Sequence, residues 1–331
     1  MRAAVYRQPL DIRCERAPDP EPAAGQLLVQ VKACGICGSD LHMYRVGGMF
    51  EELGRPIGKG RIIIGHEIAG DVVAIGAGVT GFNIGDRLTG IGHGGMAELA
   101  PVPVSDNAPH VLPDAIDYDV GATLEPLATS IHAVGLARVA ADDRVVILGA
   151  GIVGLGCLQV LVAEVGCRPI VIDRSAVRLA MAARLGAGAT IDLSAADPVD
   201  SLIEVIGGQT PPGIFGQPGG IADVVLDCAG SSESPGQALR MLKPSAGRLV
   251  LVGMFEKLPT LDLNQVVRKQ ANIVGSWIWN GDDYRRAIEF VASGRIDREP
   301  LISHRFPLSR VIEAFAAQAD VDASIKVVVE T

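Results

Sequence analysis

The stretch VVILGAGIVGLG, residues 145–156, decides how the second half of this chain is read. Four apolar residues with strand character run into Gly149-x-Gly151-x-x-Gly154, and a helical pattern follows. Glycines in this spacing allow a tight turn and let backbone N–H groups approach a pyrophosphate at the N-terminus of a helix. Nineteen residues after Gly154, the next strand, PIVID, ends in Asp173, where a carboxylate can accept hydrogen bonds from adenosine ribose hydroxyls. Gly149, Gly151, Ile152, Val153, Gly154, Asp173, Arg174 and Arg178 form the candidate cofactor-binding set. Asp173 would repel a 2′-phosphate, which favours NAD over NADP, whereas Arg174 would attract one.

Val145 to Ala163 is nearly long enough to span a bilayer, with Gln159 as its only polar side chain. Its four glycines and the flanking Arg144 and Glu164 fit a buried strand, a turn and a buried helix better. Working outward, strands RVVILG, RPIVID, ATID, ADVVLD and GRLVLVG alternate with helical segments such as SAVRLAMAARLG and SPGQALRMLKP. That alternation is the pattern of a doubly wound parallel sheet and defines an expected dinucleotide-binding domain over residues 128–269. Upstream, short strands broken by Gly and Pro (QLLVQVKA, HEIAGDVVAIG, GDRLTGI) suggest a β-rich, barrel-like domain over 1–127, which residues 270–331 rejoin. GGQTPPGIFGQPGG, residues 207–220, reads as an exposed loop.

Of 331 residues, 48% are hydrophobic and 20% charged, the balance of a soluble globular protein. A net charge of −9 argues against a nucleic-acid or anionic-membrane surface. The N-terminus lacks the apolar core of a signal peptide, so a cytoplasmic location is expected. Six scattered cysteines do not suggest a disulfide framework, and Cys157 and Cys228 read as small core residues.

A second stretch, ACGICGSDLH at 33–42, carries candidate chemistry. Its Cys34-x-x-Cys37 spacing alone allows a redox pair, half of a structural zinc site, or a catalytic ligand. Beyond it come His66 and Glu67 in IIIGHEIAG, and Glu125 in GATLEPLATS. Taken in order, CGICGSDLH, GHE, GD, GGMAE, LEPLA and GxGxxG resemble the zinc-dependent medium-chain alcohol and polyol dehydrogenases along essentially the whole chain. The resemblance is nearest to the sorbitol and threonine dehydrogenase branch, where Glu stands at the position of Glu125; the alcohol dehydrogenase branch has Cys there.

The resemblance implies an α/β chain with a GroES-like β-rich catalytic domain and a Rossmann domain. It implies that Cys37 and His66 bind a catalytic zinc, with Glu67, Glu125 or water completing the shell. Asp40 would accept from the other nitrogen of His66, and Cys34 would not be a ligand. Ser39, a nicotinamide ribose hydroxyl and then His42, at the surface, would carry the alcohol proton outward. Lys326 matches a basic residue that in relatives can meet the cofactor phosphates. Many relatives hold a structural zinc in a four-cysteine lobe. Here only LTGIGH, residues 88–93, fills that interval, so one zinc per chain is expected, and His93 is read as a loop residue without a role.

The implied substrate is a secondary alcohol in a polyol, sugar, cyclitol or hydroxy amino acid, oxidised with NAD. A primary alcohol or aldehyde enzyme shares every motif. A zinc-free quinone or enone reductase would not need Cys37 and His66, and a non-catalytic binding protein would not need Ser39 and His42. Tyr44, Met49, Phe50, Trp277 and Trp279 are candidate pocket residues. ANIVGSWIWN, residues 271–280, falls where relatives pair sheet edges, so a homodimer or homotetramer is expected.

Overall fold

The computed structural model describes residues 1–48, 53–58, 60–194, 197–206 and 220–331. It divides into two compact units, Met1–Ala128 with Asn280–Thr331, and Thr129–Trp279. The chain re-enters the first unit at residue 280 rather than at 270, as read from sequence. The reason is that Asn272–Gly275 pairs in parallel with Arg248–Leu251 and completes the second unit's sheet.

In the first unit the strand Gln26–Gly35 organises the packing. Its alternation buries Leu27, Val29, Val31 and Ala33, as a period of two requires when a strand faces a core. It pairs antiparallel with Glu67–Ile75, Leu99–Pro103 and Lys326–Glu330. These strands belong to a seven-stranded sheet; a four-stranded sheet built on Arg2–Gln8 accompanies it. Ile68, Leu88, Met96, Val102, Phe315, Val327 and Val329 fill the same core, each fully buried aliphatic side chain contributing about 1.5–3 kcal/mol.

Register, rather than proximity in sequence, creates the first unit's polar centre. Gly35 lies opposite Glu67, and Cys34 lies opposite Val329. The strand therefore delivers its end, the GHE segment and the C-terminal strand to one place. The helix Gly38–Val46 begins directly beyond it, with Cys37 at its N-cap.

The second unit carries a six-stranded parallel sheet in the order Ala189–Asp192, Ile170–Asp173, Val145–Leu148, Val224–Asp227, Arg248–Leu251, Asn272–Gly275. Numbered along the chain, this is 3-2-1-4-5-6, whose order reverses between the first and fourth strands. Val146, Leu148, Ile172, Val225 and Leu249 are buried in its core, as strands covered on both faces must be. The apolar run from Val145 resolves into a strand, the glycine turn, the helix Ile152–Val160 and a π turn, Leu161–Val165. Among the described residues no helix is long and apolar enough to cross a membrane.

Among the pocket candidates, Tyr44 packs on the first unit's core, its ring centroid 5.1 Å from that of Phe315. Trp279 is buried, whereas Trp277 is 62% exposed. Met49, Phe50 and all of 207–220 except Gly220 lie outside the described residues.

Candidate functional site

In the first unit, Cys37, His66 and Glu67 offer ligand atoms that all lie within 4.8 Å of one another. This is the one such group among the described residues. Cys37 sits at the N-terminus of the helix Gly38–Val46, where the exposed N–H groups favour negative charge. Asp40 ties the ligand segments together. Its carboxylate accepts from Cys37 N at 2.9 Å and from Gly65 N at 3.2 Å.

Asp40 also faces His66, but at 3.6 Å from Nδ1 it stands beyond hydrogen-bond length. The direct bond expected from the resemblance is therefore replaced by two backbone bonds that hold the loops around the imidazole. Burial works against a charge on His66. The Asp40 carboxylate and the Cys37 sulfur outweigh it, holding the imidazole pKa well above its ordinary value.

Glu67 joins Cys37 and His66, while Glu125 stands apart from the group. Glu125 is buried in the first turn of the helix Leu124–Ala137. Cys34 is also buried, its thiol pKa raised well above the ordinary value by burial and then by the charges of Asp40 and Glu67. It is a neutral core thiol and no ligand.

Lys326 corrects the sequence reading. It does not reach out to a phosphate. Its side chain is fully buried, its ammonium donates to Ile36 O at 2.8 Å, and it forms an ion pair with Glu67. Pairing of Lys326–Glu330 with Gln26–Gly35 draws it inward. Burial disfavours its charge, yet Glu67 and Cys37 more than compensate, with Glu125 adding to them, so its pKa rises above the ordinary lysine value. Gly35 makes room for this pair, since a Cβ there would stand 2.1 Å from Glu67 Oε2.

A second correction concerns His42, which is buried rather than at the surface. The helix Gly38–Val46 turns Asp40, His42 and Met43 inward, and Met43 packs in the core. Ser39 lies one turn before His42, on the same face, and its Oγ is buried without a hydrogen-bond partner.

The donor set suits zinc: one thiolate, one imidazole and one carboxylate on a buried wall. Glu67 Oε1 is buried at this cluster without a hydrogen-bond partner. A polar atom left this way at a convergent cluster fits a cation better than a purely structural role.

In the second unit the glycine turn has the form expected from VVILGAGIVGLG. Gly149 adopts φ +95°, and Gly151 caps the helix Ile152–Val160, which Ile152 and Val153 open. Gly154 packs so closely that a Cβ would stand 1.9 Å from Gly149 O. Only glycine fits there. A Cβ on Gly151 would meet nothing nearer than Arg178 Nη1 at 3.9 Å, so that face of the turn is open to a ligand.

Asp173 ends the second strand, accepting from Ala150 N at 2.6 Å and Ser175 N at 2.8 Å. It thereby fastens the glycine turn to the next one. Arg174 is exposed, and Arg178 lies in the first turn of the helix Ala176–Arg184. The sequence reading passed over Asp227, which ends the fourth strand as Asp173 ends the second; an acidic residue closing a strand of a parallel sheet was the signal available.

Comparison with known proteins agrees with this geometry. The alcohol dehydrogenase GroES-like domain family matches residues 23–114, and the zinc-binding dehydrogenase family matches residues 153–293. Over 344 residues the chain is 31% identical to a sorbitol dehydrogenase of Gallus gallus, spanning 95% of this chain and 92% of that protein. A solved zinc-binding dehydrogenase from Sinorhizobium meliloti 1021, bound to NADP, superposes with a TM-score of 0.82 at 30% identity, covering 100% of this chain and 99% of the other. The 2R,3R-butanediol dehydrogenase of Bacillus subtilis superposes with the same TM-score, 0.82, at 27% identity, covering 100% and 99% of the two chains.

Proposed function

The chain belongs to the zinc-dependent medium-chain dehydrogenase/reductase family, and we propose that within it the protein oxidises a secondary alcohol of a polyol, sugar, cyclitol or hydroxy amino acid with NAD. The observation that carries this reading is the buried convergence of Cys37, His66 and Glu67 within 4.8 Å. Relatives named for sorbitol and butanediol supply the substrate class.

Zinc held by these three residues would supply a Lewis acid that lowers the pKa of an alcohol toward neutrality. A nicotinamide dinucleotide would supply the hydride acceptor. The remaining work falls to side chains of this chain. Asp40 keeps Cys37 and the Gly65–His66 turn in place. Ser39 Oγ, buried and unpartnered, is available to take a proton from the alcohol, with His42 next on the same helix face. Lys326 holds Glu67 in the buried wall.

NAD is preferred to NADP because Asp173 would meet a 2′-phosphate with like charge; exposed Arg174 and the NADP-bound relative weigh on the other side. One zinc per chain is supported by the single cluster among the described residues and by the cysteine-free interval 88–93. Assembly into a homodimer or homotetramer is supported by the edge strand Asn272–Gly275 and by the exposure of Val274 and Trp277. The net charge of −9 fits a cytoplasmic enzyme of small molecules rather than a nucleic-acid or membrane binder.

A panel of polyols, cyclitols, sugars and 3-hydroxy amino acids, read as NADH absorbance with and without a chelator, tests the reading. Chelator-sensitive NADH formation with a secondary alcohol is expected. Turnover confined to primary alcohols, or unaffected by complete zinc removal, would contradict it.

A further inference from the structure

We propose that Asp227 is a positioning residue for the dinucleotide, holding the turn Cys228–Gly230 against the glycine turn so that the crevice is formed before cofactor arrives. This rests on the reading of the second unit as a dinucleotide site. Asp227 ends the fourth strand, opposite Leu148 on one side and Leu251 on the other, where the sheet order reverses. Ligands of such sheets bind outside the carboxyl ends of the strands at that point.

Asp227 is fully buried, and its oxygens reach three segments. Oδ1 accepts from Ala229 N at 3.1 Å, and Oδ2 accepts from Ser234 Oγ at 2.8 Å, at the start of the helix Ser234–Met241. Its carbonyl accepts from Val252 N at 2.9 Å and Gly253 N at 3.0 Å, in the turn after the fifth strand. The turns then touch backbone to backbone. A Cβ on Gly149 would stand 2.8 Å from Ala229 Cα, and one on Gly253 would stand 2.5 Å from Gly230 N. With no side chain between them to absorb a shift, displacement of residues 228–230 passes directly to the glycine turn.

The carboxylate is needed in its ionised form, because hydrogen bonds to an ionised acceptor are about twice as strong; a proton on Oδ2 turns the Ser234 hydroxyl toward Ser231 O at 3.0 Å and weakens the bond from Ala229 N. Burial pushes the Asp227 pKa up to about 6, against the opposing pull of the Ser234 hydroxyl and the Ala229 and Gly230 amides. The titratable group beside it is Cys228, which Cys157 of the helix Ile152–Val160 contacts in turn. Contact with Cys157 and burial hold the Cys228 thiol well above its ordinary pKa, so it stays neutral in this range. Asp227 therefore changes charge between pH 5 and 7 while Cys228 does not, and the turn loosens as it gains a proton.

The test is NADH and NADPH binding to the full-length protein between pH 5 and 8, read by fluorescence without turnover. Wild-type affinity is expected to be flat above pH 7 and to fall about tenfold by pH 5. Asp227→Asn should weaken binding about tenfold at pH 7 and flatten the profile. Ser234→Ala keeps the carboxylate but removes a donor that lowers its pKa, so the fall should move to higher pH. If Asp227→Asn does not fold, the wild-type and Ser234→Ala profiles decide the matter alone. A flat wild-type profile, an unshifted Ser234→Ala profile, or a folded Asp227→Asn that binds like wild type overturns the proposal while leaving the dinucleotide reading intact. Wild-type protein that binds neither nucleotide at pH 7 overturns both.

Discussion

The two polar centres of this chain are built in opposite ways. The dinucleotide turn is local: its glycines and Asp173 lie within residues 149–173, and Asp173 is satisfied by backbone N–H groups two turns apart. The proposed metal centre gathers Cys37, His66–Glu67 and Lys326 from three remote stretches and buries opposite charges to do so. A backbone turn asks little of the rest of the fold. Buried ions must be compensated wherever the chain can supply a partner, because each carries a desolvation cost of several kcal/mol. The contrast implies that the first centre fails by shape and the second by charge.

The largest effect expected is in the second kind. Cys37→Ala removes the only thiolate of the cluster, and kcat/KM should fall about 10³-fold or more as zinc is lost. Elemental analysis together with initial rates checks this, and a variant that keeps its zinc and its rate would break the contrast.

Lys326→Met isolates the compensation itself. It leaves the Glu67 carboxylate buried without its ammonium partner, and zinc-free protein should lose about 3–5 kcal/mol in chemical denaturation. Adding Glu67→Gln should recover most of that loss, and zinc should recover part of it in the single variant. Were Lys326 a phosphate contact instead, stability would hardly change and cofactor affinity would fall.

Gly154→Ala tests failure by shape. A methyl group 1.9 Å from Gly149 O forces the turn open, and NADH binding should weaken about 100-fold with zinc content unchanged. Loss of zinc in this variant would mean that the two centres are not independent.

The pH dependence of zinc binding sharpens the charge side. The pKa of His66 is raised, so below that value a proton occupies the imidazole, and zinc must displace it. Affinity should therefore rise with pH, by at least about tenfold per unit, until the imidazole loses its proton unaided. In protein freed of zinc the sign is reversed: stability from the protonated imidazole is full below pH 6.5 and is lost as pH rises through the raised value. Equilibrium titration with a zinc-buffered indicator reads the first effect, and a pH-independent affinity would contradict the protonated pair. The smallest effect is Asp173→Ala, which should cost about tenfold in NAD affinity and narrow the gap to NADP. A wild-type enzyme that already prefers NADP would show that Arg174 and Arg178 outweigh the carboxylate.

This difference in construction also explains what could be read in advance. The glycine turn, the strand endings and the helix Ile152–Val160 follow from short-range pattern, and they are present as read. The family resemblance pointed to Cys37, His66 and Glu67 as donors, whereas the Cys34–Cys37 spacing alone left several readings open. That Glu67 rather than Glu125 lies within 4.8 Å of the Cys37 and His66 donors was not legible, since it depends on the register that sets Gly35 opposite Glu67. Lys326 was misread for the same reason: one lysine near a C-terminus carries no sign that its strand will pair with Gln26–Gly35. The resemblance placed His42 at the surface, and the weak apolar pattern of the helix Gly38–Val46 could not correct this, because tertiary packing decides which side turns inward. The return at residue 280 depended on a sixth strand, which pattern alone could not assign to either unit.

The most direct test of the central claim is the rate of NADH formation from an accepted polyol as zinc is added back to metal-depleted protein. Activity should rise linearly and saturate at one zinc per chain, from a baseline near zero. Undiminished turnover in the depleted protein, or saturation only at two, would contradict a single catalytic centre at Cys37, His66 and Glu67.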